Sequence, residues 1–286
     1  MRICWFNDNR LGLVKGGRVF DVSKVLEKLP KPSYPAARGG DPLVLNLAKL
    51  RPDLEAAATG SGTPVSEVKF LPPVASPSKI IGTPTNYMDH RQEAQAQREV
   101  FGGRYTGGIE DQGLFLKANS CLIGAGETVK LRFPQRRTDH EMELGVVIGK
   151  PASNIKLEDA LNYVAGYCIA LDMVVRGTQD RSMRKSVDSY GVAGPWMVTA
   201  DEIPDPQNLD FSLAVNGEVK QKSNTKMMIM DLKRQIQFGS EYYTLLPGDI
   251  IMTGTCAGVS QVKPGDVMHC EIEKIGAMDV RVGAAD

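Results

Sequence analysis

Net charge is the first thing this chain lacks. Its 286 residues carry 34 lysines and arginines against 34 aspartates and glutamates, so no excess of either sign is available to hold a nucleic acid or an anionic membrane surface. The expected partner is a small molecule, with no nucleic acid and no membrane. Long hydrophobic runs are missing too: nothing approaches the roughly 18 apolar residues that a membrane-crossing helix requires. The opening Met-Arg-Ile-Cys-Trp-Phe-Asn-Asp is too polar and too short for a secretion signal. A cytoplasmic protein is expected. Cysteine is sparse, and Cys4, Cys121, Cys168, Cys256 and Cys270 are odd in number with no Cys-x-x-Cys pair, which argues against a disulfide framework and a zinc site alike. With only His90, His140 and His269, a histidine-rich metal centre is also unsupported. Any metal in this chain has to look to carboxylates.

What is present is an ordinary globular composition, 42% apolar and 24% charged, at a length that suits one large domain or two unequal ones. Its most informative stretch is Asp139-His-Glu-Met-Glu-Leu-Gly-Val-Val-Ile-Gly149. Leu144 to Ile148 is a near-continuous apolar run closed by glycine, the pattern of a buried strand, and the alternation before it places Glu141 and Glu143 on one face. Residues two apart on a strand lie about 6.6 Å apart at Cα, so both side chains can reach one cation. Ligation by oxygen alone favours a hard ion such as Mg²⁺, Mn²⁺ or Ca²⁺. Read by itself, the motif also fits a strand end with its acids in water.

Residues 1 to about 75 read as a separable piece, with three short apolar runs (Arg2 to Phe6, Leu11 to Val14, Arg18 to Asp21) forming a small antiparallel sheet, and helical spacing over Val22 to Leu29 and Pro42 to Leu50. The Gly/Pro/Ser-rich stretch from Ala56 to Pro77 is the natural linker. After a short strand, Lys79 to Gly82, a helical run begins in which His90 and Glu93 are three apart and share a face. That spacing suits a general base oriented by a carboxylate, and equally an exposed helix surface. Phe101 to Gln112, with Gly-Gly-Arg-Tyr-Thr-Gly-Gly, predicts a mobile loop rather than a regular element. Lys117 ends a strand, either as a surface cation or as a contact for a substrate carboxylate.

Further on, Leu157 to Tyr163 has helical spacing and leads into a second apolar strand, Val164 to Asp172, whose terminal acid is the candidate third metal ligand. The basic run from Arg176 to Asp188 is either a solvated loop or a supply of cations to an anionic substrate. The last third predicts strands at Leu209 to Val215, joined to Glu218 to Lys220 through Asn216-Gly217, a helix from Asp231 to Tyr243, a strand after Pro247-Gly-Asp, and a final strand pair.

Taken together, Asn86-Tyr87 with His90 and Glu93, Lys117, Asp139 through Gly149, Gly166-Tyr167 with Asp172, Arg176 and Gln179, Lys185, Gly194-Pro-Trp196, Asn216-Gly217, Gln221, Thr225, Pro247-Gly-Asp249 and Thr253-Gly-Thr255 resemble, in order and spacing over roughly residues 79 to 282, the fumarylacetoacetate hydrolase family. The resemblance implies a mixed α/β, β-rich fold: a rolled β-sandwich of the fumarylacetoacetase C-terminal type behind a small N-terminal α+β domain (residues 1–75, then 76–286), usually as a homodimer. It implies Mg²⁺ or a similar ion held by Glu141, Glu143 and Asp172. It implies catalytic roles for His90, Glu93, Lys117 and Lys185, with Arg176, Gln179 and Thr255 lining the pocket for a keto-acid substrate.

The implied activity is metal-dependent hydrolysis of a C–C bond in an acylpyruvate or 2,4-dioxo acid, of the fumarylpyruvate or 2,4-diketo-3-deoxy sugar acid type. A decarboxylase or isomerase of oxaloacetate-like or ring-cleavage keto acids on the same site, and a metal-binding homologue without turnover, are the alternatives. The chain departs from the family pattern at Gly82-Thr-Pro-Thr-Asn-Tyr87, in its extra glycine-rich sequence before Lys117, in a short loop from Gln179 to Lys185 without the usual tryptophan, and at Cys256, where proline is usual.

Overall fold

The computed structural model describes residues 1–31, 39–101 and 108–285. The fold is β-rich with few helices, as the mixed α/β expectation requires. Most described strands fall into two sheets. The larger runs from Thr63–Pro64 through Arg18–Asp21, Arg10–Lys15, Arg2–Phe6, Gly191–Thr199, Val164–Asp172, Met142–Ile148, Ile250–Met252 and Ile80–Gly82 to Phe115–Lys117. The smaller has five strands, in the order Glu218–Asn224, Asp210–Val215, Val267–Ile272, Gly276–Ala284 and Thr128–Leu131.

The central strands explain their own sequences. All seven residues of Met142–Ile148 are buried, because Val164–Asp172 pairs with one edge (Glu143 opposite Ala170) and Ile250–Met252 with the other (Gly145 opposite Met252) while both faces are covered. A strand hidden on both faces has no polar side to show, hence the unbroken apolar run. Gly145 is needed there, since a Cβ at that position would come within 2.7 Å of Cys168 Sγ. In the smaller sheet Val267–Ile272 alternates buried and exposed residues and has one wet face.

The three expected N-terminal strands are present and continue into the large sheet through Arg2 opposite Val198 and Ile3 opposite Met197. The helical expectations are corrected in detail. Ser23–Lys28 and Leu157–Tyr163 wind as 3₁₀ turns rather than α-helices, a difference that apolar spacing over six or seven residues does not resolve. Pro42 to Leu50 is not one helix: Asp41 caps Pro42–Leu45 by accepting from Leu43 N and Val44 N, and a second helix, Leu47–Ala57, starts after Asn46 and runs through Pro52. The Gly/Pro/Ser-rich stretch contributes two-residue strands, Thr63–Pro64 and Phe70–Leu71, that pair with Arg18–Asp21 and Arg2–Phe6. Of the loop expected at Phe101 to Gln112, residues 102–107 lie outside the described residues. The irregular assignment is overturned at its end, where Ile109–Gln112 forms a helical turn packed by Ile109 against Met230 and Phe238. The Gly194-Pro-Trp strand starts earlier than expected, at Gly191. Among the described residues, no helix is long and apolar enough to cross a membrane.

Candidate metal centre and catalytic dyad

Two neighbouring segments bring three acids to one point. Glu143 projects from the buried strand, Glu141 just precedes it, and Asp172 ends the neighbouring strand with its N–H donated to Glu141 O at 2.8 Å. One carboxylate oxygen from each lies within 4.8 Å of the other two, and all three residues are buried. Cations crowd around them. Lys117 Nζ, from the end of Phe115–Lys117, donates to Asp172 Oδ1 at 2.6 Å. Lys185, on the short helix Arg181–Lys185, reaches Glu141 Oε2 at 2.5 Å and also contacts Asp172. Arg176 bridges Glu141 Oε1 (3.1 Å) and Asp139 Oδ2 (2.7 Å), and Arg137 Nε takes the other oxygen of Asp139 at 2.6 Å.

These neighbours treat the two glutamates differently. Burial alone would raise Glu141, but Lys185, Arg176 and His90 outweigh it and hold the carboxyl at about 2. Burial raises Glu143 well above the usual carboxylate range, the adjoining Asp172 and Glu141 charges add to that rise, and Lys185 offsets only part of it. The only donor to Glu143 among the described residues is the Gly254 N–H, 2.7 Å from Oε2. A buried acid beside two other acids, with one amide donor and no cation hydrogen-bonded to it among the described residues, is short of positive charge despite the nearby Lys185. An all-oxygen donor set of this kind fits a hard divalent ion.

The second grouping sits on the helix Met88–Ala96, where His90 is the one buried residue. His90 Nδ1 and Glu93 Oε2 are 2.9 Å apart, and the other Glu93 oxygen accepts the Gly258 N–H at 3.1 Å. The loop from Thr253 to Gly258 thus touches the metal-site glutamate at Gly254 and the helix dyad at Gly258. Its glycines have φ of +94° and +97°, a backbone region that glycine enters at little cost.

The remaining expected site residues divide. Thr255 is in the same loop, but its hydroxyl donates to Met142 O at 2.7 Å and receives Gln221 Nε2 at 2.7 Å. Gln179 is tied to Arg136, whose Nη2 is 2.8 Å from Gln179 Oε1, and among the described residues it makes no hydrogen bond to the three acids. Sequence reasoning assigned no role to Asp139, Arg137, Gln221 or the amides of Gly254 and Gly258. Backbone donors leave no side-chain signature, and the glycines of Thr253-Gly-Thr-Cys-Ala-Gly258 were the one available sign.

Residues 79–283 match the family described as fumarylacetoacetate (FAA) hydrolase C-terminal. The chain is 49% identical over 285 residues to a maleylpyruvate hydrolase of Aquipseudomonas alcaligenes, covering 99% of each chain. It is 35% identical over 275 residues to a mitochondrial oxaloacetate tautomerase of Rattus norvegicus, covering 92% of this chain and 83% of that one. The crystal structure of a maleylpyruvate hydrolase from Sphingobium sp. SYK-6, in complex with manganese(II) and pyruvate, superposes with a TM-score of 0.85 at 36% identity over the whole of both chains. By the extent and level of these matches, the chain belongs to the fumarylacetoacetate hydrolase family.

Proposed function

We propose that the protein is a metal-dependent hydrolase that cleaves the C–C bond of an acylpyruvate, with maleylpyruvate the first substrate to test. The observation that carries this reading is the convergence of Glu141, Glu143 and Asp172, oxygens within 4.8 Å, next to a His90–Glu93 pair close enough for His90 to help lower Glu141. A divalent ion held by these three acids would act as a Lewis acid, polarising the keto oxygen and offsetting the charge that develops on the pyruvate fragment. The protein's own residues account for the rest. With Nδ1–H given to Glu93, His90 takes a proton from water at Nε2, and the Glu93 carboxylate stabilises the resulting imidazolium. Gly258 N–H stops Glu93 from rotating away. Lys117, Lys185 and Arg176 place three fixed positive charges where the substrate carboxylate and the departing enolate need them, in a site dry enough for those charges to act strongly. Gln179, with its carbonyl oxygen held by Arg136, has its NH₂ left for a ligand, and Thr255 can only accept.

Mg²⁺ or Mn²⁺ is the proposed ion, and a cytoplasmic homodimer with a structural boundary near residue 75 the proposed organisation. The test is a screen of 2,4-dioxo acids, maleylpyruvate first, with each ion in turn. Pyruvate release that requires the ion supports the reading, and absence of pyruvate from every acylpyruvate tried overturns it. A second reading, tautomerisation of oxaloacetate, draws on the rat relative. It predicts faster enol–keto exchange of oxaloacetate with no hydrolysis in the same screen.

A further inference from the structure

Gln221 lies on the strand Glu218–Asn224 of the smaller sheet, opposite Leu213, and is fully buried. Its side chain has no unspent hydrogen-bonding capacity. Oε1 accepts from Met142 N and from His140 Nδ1, both at 3.0 Å, while Nε2 donates to Thr255 Oγ1 at 2.7 Å and Cys256 O at 2.9 Å. The Met142 N–H can only donate, so it fixes which end of the amide faces the strand and which faces the loop. Two consequences follow. The peptide that Gln221 grips is the one at Met142, between Glu141 and Glu143. The loop it holds continues through Gly254 N–H to Glu143 and through Gly258 N–H to Glu93. Thr255 closes the circuit by donating its hydroxyl to Met142 O.

We propose that Gln221 is a positioning residue for this site: from the smaller sheet it locks the two-glutamate segment to the 253–258 loop, so that the metal-site acids and the His90–Glu93 pair are held in one register. Gln221 touches none of the three acids, and its effect passes through Met142 and the loop amides. An outer partner that orients ligands in this way is typically worth about 10- to 100-fold in metal affinity or activity. The proposal rests on the reading of Glu141, Glu143 and Asp172 as a metal site.

Titration calorimetry with Mn²⁺ alone, well below the melting temperature, tests it without substrate. Gln221→Leu should bind Mn²⁺ about 10- to 100-fold more weakly than wild type, and kcat should fall more than KM rises. Ser260→Ala, which removes only the outer partner of His140 Nε2 at 2.8 Å, should leave the Mn²⁺ affinity within about twofold of wild type. A residue that merely supports the core would lower the melting temperature in both variants and move the affinity in neither. If circular dichroism shows Gln221→Leu unfolded, Gln221→Glu, which keeps the shape and loses the two N–H donors, carries the same expectation of weaker binding. Wild-type affinity in the folded Gln221 variant overturns the proposal. If wild type itself binds no Mn²⁺, the metal reading falls and the proposal falls with it.

Discussion

The site has a strand-borne half and a helix-borne half, and they are held by different means. Glu143 sits in a strand hydrogen-bonded along both edges with seven consecutive buried residues, while Glu141 and Asp172 are tied to each other through the backbone. His90 and Glu93 sit on a nine-residue helix that buries one side chain, and Glu93 is tied to the core through the amide of Gly258. Burial density sets local stability. The half proposed to stabilise charge is therefore the more densely held, whereas the half proposed to transfer a proton belongs to a less buried element, the kind that moves when a site opens and closes. On the proposed reading, one reaction is divided between a densely bonded electrostatic frame and a base carried by a less buried helix.

The largest test of that division removes the frame's ion. A Lewis acid contributes several kcal/mol to such a reaction, so EDTA should cut pyruvate release by about a thousandfold or more, with recovery on adding Mn²⁺ or Mg²⁺. Glu143→Gln should behave as if chelated even in saturating metal, and full activity in that variant would remove Glu143 from the frame. Next in size is the base. His90→Ala should lower kcat for hydrolysis by about 10²- to 10⁴-fold while leaving Mn²⁺ affinity nearly unchanged, because the helix holds none of the three acids. Any decarboxylation of oxaloacetate by the same protein should fall much less, since that step needs chiefly the ion. If His90→Ala and Glu143→Gln lose both reactions equally, the two halves are not separable.

How legible each half was in the sequence follows from the same difference. Period-two alternation running into an apolar stretch marked Glu141 and Glu143, and a strand-terminal acid marked Asp172, because a strand buried on both faces imposes its pattern on every residue. Apart from the family resemblance, the helix half showed only as His90 and Glu93 three apart, a spacing that exposed helices share. Of the parts that link the halves, Gln221 and Gly254 showed only as residues of the family pattern, with no role read from them. Gly254 and Gly258 act through backbone N–H groups. Gln221 reaches Met142 from 79 residues away in the chain, across two sheets, and no local period encodes that. Asp139 looked like one more acid of the motif, yet Arg137 and Arg176 each occupy one of its oxygens, so it orients cations. Residues 109–112 were read as loop from the glycines before them, but the apolar contacts of Ile109 decide their helical turn.

A third test reads the frame as stability. An ion that binds only the folded chain stabilises it by about 2.7 kcal/mol at 100 times its Kd, and in a chain of this size each kcal/mol is worth a few °C. The melting temperature should rise by several °C with saturating Mn²⁺. Hydrogen exchange should slow at Met142–Ile148 and Val164–Asp172 and change little at Met88–Ala96. An unchanged melting temperature in a wild-type protein shown to be metal-free beforehand would mean the three acids hold no ion.

The smallest expected effect asks how far the rigid frame extends beyond the site. Arg234, on the helix Leu232–Tyr242, pairs with Glu110 at 2.7 Å and with Glu241 at 2.8 Å, and the first of these pins the Ile109–Gln112 turn next to the small cluster of Ile109, Met230 and Phe238. Both pairs are partly exposed and screened, so Arg234→Ala should cost at most about 1 kcal/mol in urea unfolding. The turn is held by this pair, by the contacts of Ile109 and by Arg181 Nη2 on Gln112 Oε1 at 2.8 Å, so losing the pair should speed exchange at residues 109–112 while the Met142–Ile148 strand keeps its full protection. The strand has its own bonds on both edges and owes nothing to Arg234. Were protection to fall in both places by the same factor, the turn and the strand would open in one cooperative step, and the rigid frame would extend as far as the Ile109–Gln112 turn.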